Sequence, residues 1–240
     1  MRTFTGENLF AVGEYWSTDL GALNLYEQRV NGGLSLFDFP LHYNLYSASE
    51  GPLTFDMRKI LDNTWVQANP VLAVTFVDNH DTQSGQSGST FVKEWFRDIA
   101  YAILLTRQDG YPCIFYPDYY GSNGTLIDGK IKSMRPTLVA LLTVRKNNAY
   151  GREHDYFSNP DEHYVGWTSE GDESHGGLAT VISTAEAPQG YLDMYVGTRY
   201  GGQFWTDAMG RFPGQRVLIA ADGNGHFLVT GRNVTVWVPE

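Results

Sequence analysis

Apolar residues follow two rhythms along the first 150 or so positions. Short runs without a polar face, VLAVTFV (71–77) and YPCIFY (111–116), predict strands buried on both sides within a parallel sheet. LFAVG (9–13) is a shorter run of the same kind and LSLFDF (34–39) a weaker one. Between them apolar positions recur with helical period. Leu20, Leu23 and Val30 form one set, and Met57, Ile60, Leu61 and Thr64 a second. Val92, Trp95, Ile99 and Ile103 form a third, and Met134, Leu138, Leu141 and Leu142 a fourth, with Pro136 acceptable in its first turn. Strand then helix, repeated about four times at roughly 30 or more residues per unit, predicts α/β architecture.

The rhythm changes near Gly151. Beyond it come HYVGW (163–167), LATVI (178–182), MYVG (194–197), VLIA (217–220), FLVT (227–230) and VTVWV (234–238). Turn signals such as Pro188-Gln189-Gly190, Asp222-Gly223 and Asn224-Gly225 separate them, and no helical period survives. The expected organisation is an α/β part over 1–151 followed by an all-β sandwich over 152–240.

Composition narrows the function classes. With 42% hydrophobic and 18% charged residues in 240, the chain reads as globular and can bury a large core. A net charge of −10 argues against nucleic acid and anionic lipid as partners, because either takes clustered Lys and Arg. No apolar run is long enough to span a bilayer, and MRTFTGENLF has the character of neither a signal nor a transit peptide. The single cysteine, Cys113, cannot form an internal disulfide and fits a reducing compartment. Aromatics reach 14%, which suits a core, an interface or a carbohydrate surface.

In parallel α/β folds reactive side chains lie at the C-terminal ends of strands. Two acidic clusters take such places: Glu14 after LFAVG, and Asp78-Asn79-His80-Asp81 after VLAVTFV. Glu14 alone is equally a solvated charge at a strand end, and the second cluster could cap a helix beginning near Thr90. Together, carboxylates on different strands of one sheet fit the pairing used in glycoside hydrolysis, where one protonates the leaving oxygen and another stabilises positive charge at the anomeric carbon. Tyr15 and Trp16, beside Glu14, can stack on the apolar face of a pyranose.

FAVGEYW, FDFPLHY, DMRK, VTFVDNHDTQSGQS, WFRDIAYAILLTR, GYPCIFYPDYYG, AYGREHDYF and VGWTSEGD, in this order, resemble the bacterial liquefying α-amylases of the large retaining α-glucan hydrolase family. The resemblance implies endo-hydrolysis of α-1,4-glucosidic bonds in starch, glycogen and maltooligosaccharides. It implies Glu14 as general acid/base and Asp81 as the acid that stabilises the transition state. His80 and Asn79 would hold the sugar at the cleavage subsite, with Tyr15 and Trp16 lining subsites beyond. The implied fold is the C-terminal half of a (β/α)8 TIM barrel, strands five to eight, followed by a Greek-key β-sandwich.

The resemblance also defines what is missing. The nucleophilic aspartate of the family lies in an Arg-x-Asp motif after the fourth strand, and the only such triplet here, Arg107-Gln108-Asp109, reads as a helix end. The expectation is a chain inactive alone, with Met1 internal to a longer protein. It would expose two sheet edges, at LFAVG and YPCIFY, and so self-associate or pair with the absent half. Calcium accompanies the family, but its main ligands fall outside this chain, and a further site maps to His163 and Thr184, poor ligands for a hard cation, so no strong metal site is expected. His42 is expected to line the cleft. The rival reading is a non-catalytic glucan-binding or assembly module. The absent disulfides lean towards the cytoplasm, with a secreted parent protein as the alternative.

Overall fold

The computed structural model describes residues 9–86, 88–122 and 131–240, so most of the N-terminal segment weighed as a leader lies outside the described residues. Four strands, β1 (Val12–Gly13), β2 (Ser35–Phe37), β3 (Ala73–Phe76) and β4 (Tyr111–Cys113), form a parallel sheet in the order β1-β2-β3-β4. This is a partial barrel with β1 and β4 as its two edges. β3 is buried on both faces, as its unbroken apolar run requires. YPCIFY departs from expectation: only Tyr111–Cys113 is strand, and Tyr111 is 52% exposed, because an edge strand is covered from one side only.

Aspartate caps start the first two helices. Asp19 Oδ1 accepts from the Gly21 N–H ahead of α1 (Leu20–Val30), which ends at Asn31 in the left-handed region, φ 52°. Asp38 does the same for α2 (Phe39–Glu50), which carries Pro40 in its first turn. The helix expected across Met57, Ile60, Leu61 and Thr64 does not form. A 3-10 turn spans Met57–Lys59, Asn63 turns left-handed at φ 56°, and a new cap at Thr64 starts α3 (Trp65–Ala68). Met57 and Ile60 are buried nonetheless, so their spacing records a shared core and not a continuous helix. α4 (Glu94–Thr106) begins four residues after Thr90, and α5 (Tyr116–Tyr120) and α6 (Arg135–Asn148) complete this part.

The remainder is a two-layer β structure. β5 (Glu153–Tyr156), β6 (Tyr164–Ser169), β7 (Leu178–Ser183), β9 (Phe204–Asp207), β10 (Arg216–Leu218) and β12 (Asn233–Pro239) form one sheet in the order β10-β9-β12-β7-β6-β5. β8 (Gly190–Tyr195) and β11 (Asn224–Val229) form an antiparallel ribbon over it. The chain alternates between layers, and β12 returns to lie between β9 and β7, as in Greek-key sandwiches. Leu192, Met194, Phe227 and Val229 from the ribbon meet Val181, Trp205 and Trp237 from the larger sheet. β5 and β9 carry too few apolar residues to be read as strands from sequence.

The larger sheet also packs on α4. Trp167 Nε1 and the Thr180 hydroxyl both donate to Thr106 Oγ1, at 3.1 and 2.9 Å, while Thr106 donates to the Ala102 carbonyl within the helix. One hydrophobic cluster therefore runs from Leu36 through Phe96 and Ile99 to Trp167 and Val236. At the junction Gly151 has φ 78°, and a Cβ there would meet the Gly171 carbonyl oxygen at 1.9 Å, so no other residue fits.

Candidate active site

Three of the parallel strands end in a carboxyl group, and each group has a different environment. Asp38, directly after β2, is buried. Its Oδ1 accepts from the N–H groups of Leu41 and Trp65 at 2.9 and 3.1 Å, and its Oδ2 from that of Val66 at 2.7 Å. One side chain thus starts two helices. Burial pushes its pKa up to about 6 even though the backbone bonds favour the charged form.

Asp78 lies two positions beyond β3 and is also buried. Thr82 Oγ1 lies 3.1 Å from its Oδ1, and the Val92 N–H reaches both oxygens at 3.3 Å. Burial, and then the neighbouring Asp118 carboxyl, raise its pKa to about 8, against the pull of the Arg97 guanidinium. Arg97 Nη1 sits 3.3 Å from Asp118 Oδ1, and the Tyr101 hydroxyl donates to Asp118 Oδ2 at 2.5 Å. Among the described residues one cation, Arg97, faces two buried carboxyls, and burial pushes both Asp78 and Asp118 towards the neutral form.

Glu14, after β1, is exposed. Its neighbours are better held. Tyr15 stacks on Tyr26 at 4.9 Å and an interplanar angle of 17°. Trp16 stacks on Phe39 at 4.5 Å and donates its indole N–H to the Tyr43 hydroxyl at 3.1 Å. Both rings still present surface to solvent, 37% and 41% exposed.

The loop after Asp78 is closed on itself. Asn79 Oδ1 accepts from the N–H groups of Asp81 and Thr82, both at 2.9 Å, and Thr82 Oγ1 accepts from the Asn79 N–H at 2.9 Å. Only the Asn79 amide nitrogen is left for a ligand. The Asp81 carboxylate projects beside the His80 ring, with Nε2 to Oδ2 at 3.4 Å. Gly88 joins this loop to Trp16: its N–H donates to the Asp81 carbonyl at 3.1 Å, and a Cβ there would lie 2.6 Å from that oxygen and 3.1 Å from Trp16 Cη2. The fold thereby brings Trp16 against the Asp81 loop, 65 positions later in the chain.

His42 does not line the cleft. It is fully buried, stacked on Phe76 at 5.2 Å and 5°, with Nδ1 2.6 Å from the Val77 carbonyl and Nε2 3.0 Å from Thr90 Oγ1. A carbonyl only accepts, so Nδ1 carries the proton. Burial lowers the pKa to about 4, leaving a neutral ring whose Nε2 accepts from Thr90. Its task is to tie the end of β3 to the loop that follows. Phe39 and Tyr43, which orient Trp16, were not singled out from sequence, although FDFPLHY contains both.

Arg107-Gln108-Asp109 ends α4 and precedes β4, so Asp109 stands at the opposite end of the sheet from Glu14. Arg107 is buried and bonds Asp155 Oδ1 at 2.6 Å and Glu153 Oε1 at 2.8 Å. Among the described residues no three His, Cys, Asp or Glu side chains converge as metal ligands. His163 Nδ1 and Thr184 Oγ1 bond each other at 3.1 Å, a donor set that does not fit calcium, which takes six to eight oxygens. No helix is long and apolar enough to cross a membrane among the described residues.

No protein-family model matches the chain. It is 46% identical over 241 residues to an α-amylase of Geobacillus stearothermophilus, spanning 100% of this chain and 42% of that protein. It is 45% identical over 240 residues to an α-amylase of Bacillus licheniformis, 99% and 46% of the two chains. The cytoplasmic α-amylase of Escherichia coli K12 is 34% identical over 97% of this chain and 47% of its own length. The chain therefore spans less than half the length of these relatives. Among solved structures, an α-amylase from Malbranchea cinnamomea superposes with a TM-score of 0.69 at 18% identity, covering 96% of this chain and 50% of that one. A variant of AmyP in complex with maltotriose gives 0.63 at 17%, covering 95% and 55%. At these identities the superpositions speak for the fold.

Proposed function

The chain is related along its whole length to the bacterial α-amylases, and on that premise we propose that residues 1–151 carry the proton-transfer side of a retaining α-glucan hydrolase, with 152–240 as its β-sandwich domain. The observation that supports this most is the convergence of Trp16 on the Asp81 loop through Gly88, because it sets a sugar-stacking ring beside a carboxylate held on a fixed turn.

In this reading Glu14 protonates the glycosidic oxygen as the bond to the leaving sugar breaks, and then takes a proton from the water that completes hydrolysis. Asp81, whose carboxylate has only His80 beside it among the described residues, accepts from sugar hydroxyls and offers negative charge as the anomeric carbon turns cationic. His80 donates an N–H to the same sugar, and the Asn79 amide nitrogen faces the same subsite. Tyr15 and Trp16 give stacking surfaces that need no rearrangement, because Tyr26 and Phe39 already hold them. No step passes through a metal.

For the covalent half of the mechanism, none of the remaining carboxyl groups described at the ends of the parallel sheet is free to act as nucleophile. A retaining enzyme needs a second carboxylate about 5–5.5 Å from the first. Asp38 has both oxygens taken by backbone N–H groups, Asp78 is buried and protonated, and Asp109 lies at the far end of the sheet. The chain alone accordingly binds α-glucan without cleaving it. Two assays test this: starch hydrolysis by the chain alone, and again after mixing with a separately produced N-terminal portion of the Geobacillus relative. The first should be silent, and the second should show activity that Glu14→Gln abolishes. Hydrolysis by the chain alone, or activity in the mixture indifferent to Glu14→Gln, would refute the reading.

A non-catalytic glucan-binding role is the second reading. It is favoured by the same pair of pre-stacked, solvent-facing rings, which a binder uses without needing Glu14.

A further inference from the structure

A cavity of about 190 Å³ lies between the parallel sheet and the helices that cover it, far from Glu14 and Asp81 in its lining. Its walls are aliphatic: Leu41 from α2, Val66 from α3, and Ile103 and Leu104 from α4, all of them buried. Thr75, from the middle of β3, lines it too. Because β3 is covered on both faces, this threonine has to bury its hydroxyl, and Oγ1 has no hydrogen-bond partner among the described residues. A buried hydroxyl left unpaired is destabilising, and the cavity is the open space beside this one.

The rim is charged. Arg107, Asp109 and Asp155 line it, and the two aspartates are exposed. Arg107 is already committed, since Glu153 and Asp155 hold its guanidinium at 2.8 and 2.6 Å. Arg145, the other cation nearby, donates to the Leu105 and Arg107 carbonyls at 3.3 and 2.7 Å and does not line the cavity. Asp109 acts on Arg107 through space and accepts no hydrogen bond among the described residues. Three carboxylates, Asp109, Glu153 and Asp155, thus surround the one guanidinium at the rim, and negative charge is in excess there.

We propose that this cavity is a binding site for a small organic amine. Its apolar body lies among the four aliphatic side chains, its ammonium bonds Asp109 and Asp155 at the rim, and a hydroxyl at its inner end pairs with Thr75. The volume falls below the roughly 300–1,000 Å³ of pockets for drug-sized ligands, so the body is about one ring with a short chain. Water alone would serve Thr75 but gains nothing from aliphatic walls. An anion is opposed by the rim carboxylates, and a purely apolar molecule leaves Thr75 unpaired. The inference stands apart from the function proposed above. Arg107 lines the cavity and also ties the end of α4 to β5, so an occupant braces the junction between the two parts of the molecule.

Isothermal titration calorimetry on the full chain tests the site with three probes. Tyramine carries both polar ends, phenethylamine lacks the hydroxyl, and hydroxyphenylpropanoate puts a carboxylate where the ammonium stands. Tyramine should bind, phenethylamine should bind about three- to tenfold more weakly, and the carboxylate should give no binding heat. Asp109→Asn, at an exposed position, should weaken tyramine about three- to tenfold. Thr75→Val, close in shape, should bring tyramine down to the affinity of phenethylamine. Circular dichroism melts without ligand check that each variant is folded, and the three probes on the unaltered chain carry the test if Thr75→Val is not. No binding of tyramine, or equal binding of tyramine and the carboxylate, overturns the site. Equal affinity of tyramine and phenethylamine for the unaltered chain overturns the pairing with Thr75, and tyramine binding indifferent to Asp109→Asn overturns the ammonium position.

Discussion

Phe10 and Tyr111 meet with ring centroids 5.1 Å apart, although Phe10 precedes the first strand of the parallel sheet and Tyr111 begins the last. The four strands are therefore curled far enough for side chains at the two open edges to touch across the concave side. Both rings remain more than half exposed, and Leu9 and Val12 beside them are exposed as well.

Two parallel edges without a partner strand among the described residues, flanked by the exposed Leu9, Phe10, Val12 and Tyr111, favour association. In analytical ultracentrifugation the chain is expected to sediment as a species larger than its 26.9 kDa monomer, either paired with a second copy or, when supplied, with the other barrel half. Phe10→Lys combined with Tyr111→Lys should shift the population towards monomer. A monomer at high concentration for the unaltered chain would contradict this.

Trp16 makes a prediction that separates binding from folding. Trp16→Ala removes the stack on the buried Phe39 ring and the exposed bond to Tyr43, and should cost about 1 kcal/mol in urea unfolding. Maltooligosaccharide affinity in calorimetric titration should fall about tenfold, because the ring itself is lost. Unchanged affinity would remove Trp16 from the site.

The pH dependence of stability should run opposite to that of a salt-bridged carboxylate. In the fold Asp78 holds its proton to about pH 8, whereas unfolded it releases it near 3.8. Between those values the fold binds one proton more than the unfolded chain, so this group's contribution falls as pH rises. Asp38, at about 6, acts with the same sign over a narrower window. Urea midpoints measured at pH 5 and pH 8 should show the unaltered chain losing more stability on the alkaline side than Asp78→Asn. An equal loss would place the effect elsewhere.

Arg107 joins the two parts of the molecule. It pairs with Asp155 and Glu153 of β5, lies 5.4 Å from the Trp167 ring centroid, and its carbonyl accepts from Arg145 Nη1 at 2.7 Å. Arg107→Ala leaves the mostly buried Glu153 without its cation beside a half-exposed, solvent-screened Asp155 and should cost about 2 kcal/mol, less than for a fully buried pair. Arg107→Lys should recover only part of this, since an ammonium cannot span both partners. A midpoint within error of the parent would show that the ion pairs contribute nothing net.

Periodicity located α1, α4 and α6, and the continuous apolar run of β3 announced a strand buried on both faces, because burial of an element's own face is written in its own residues. The same signal misread Met57 to Thr64, where one buried stripe serves a turn and a short helix interrupted at Asn63. The Asp78-Asn79-His80-Asp81 cluster stands out because two acids, an amide and an imidazole at a strand end exceed what a turn needs, whereas Glu14 taken alone reads equally as a solvated charge. His42 was misplaced because sequence does not show whether an imidazole faces a cleft or a carbonyl from another strand.

The sequence by itself determined the α/β part, the β part that follows it, and the strand ends where acids gather, since these depend on neighbours within a few residues. Only the tertiary structure decided that Asp38 is consumed by two helices, that Asp78 shares a buried cluster with Asp118 and Arg97, and that Trp16 lies against the Asp81 loop. Those outcomes depend on burial and on partners tens of residues away. Burial sets what each carboxyl costs to ionise, and so divides a protonated Asp78 from a solvent-exposed Glu14.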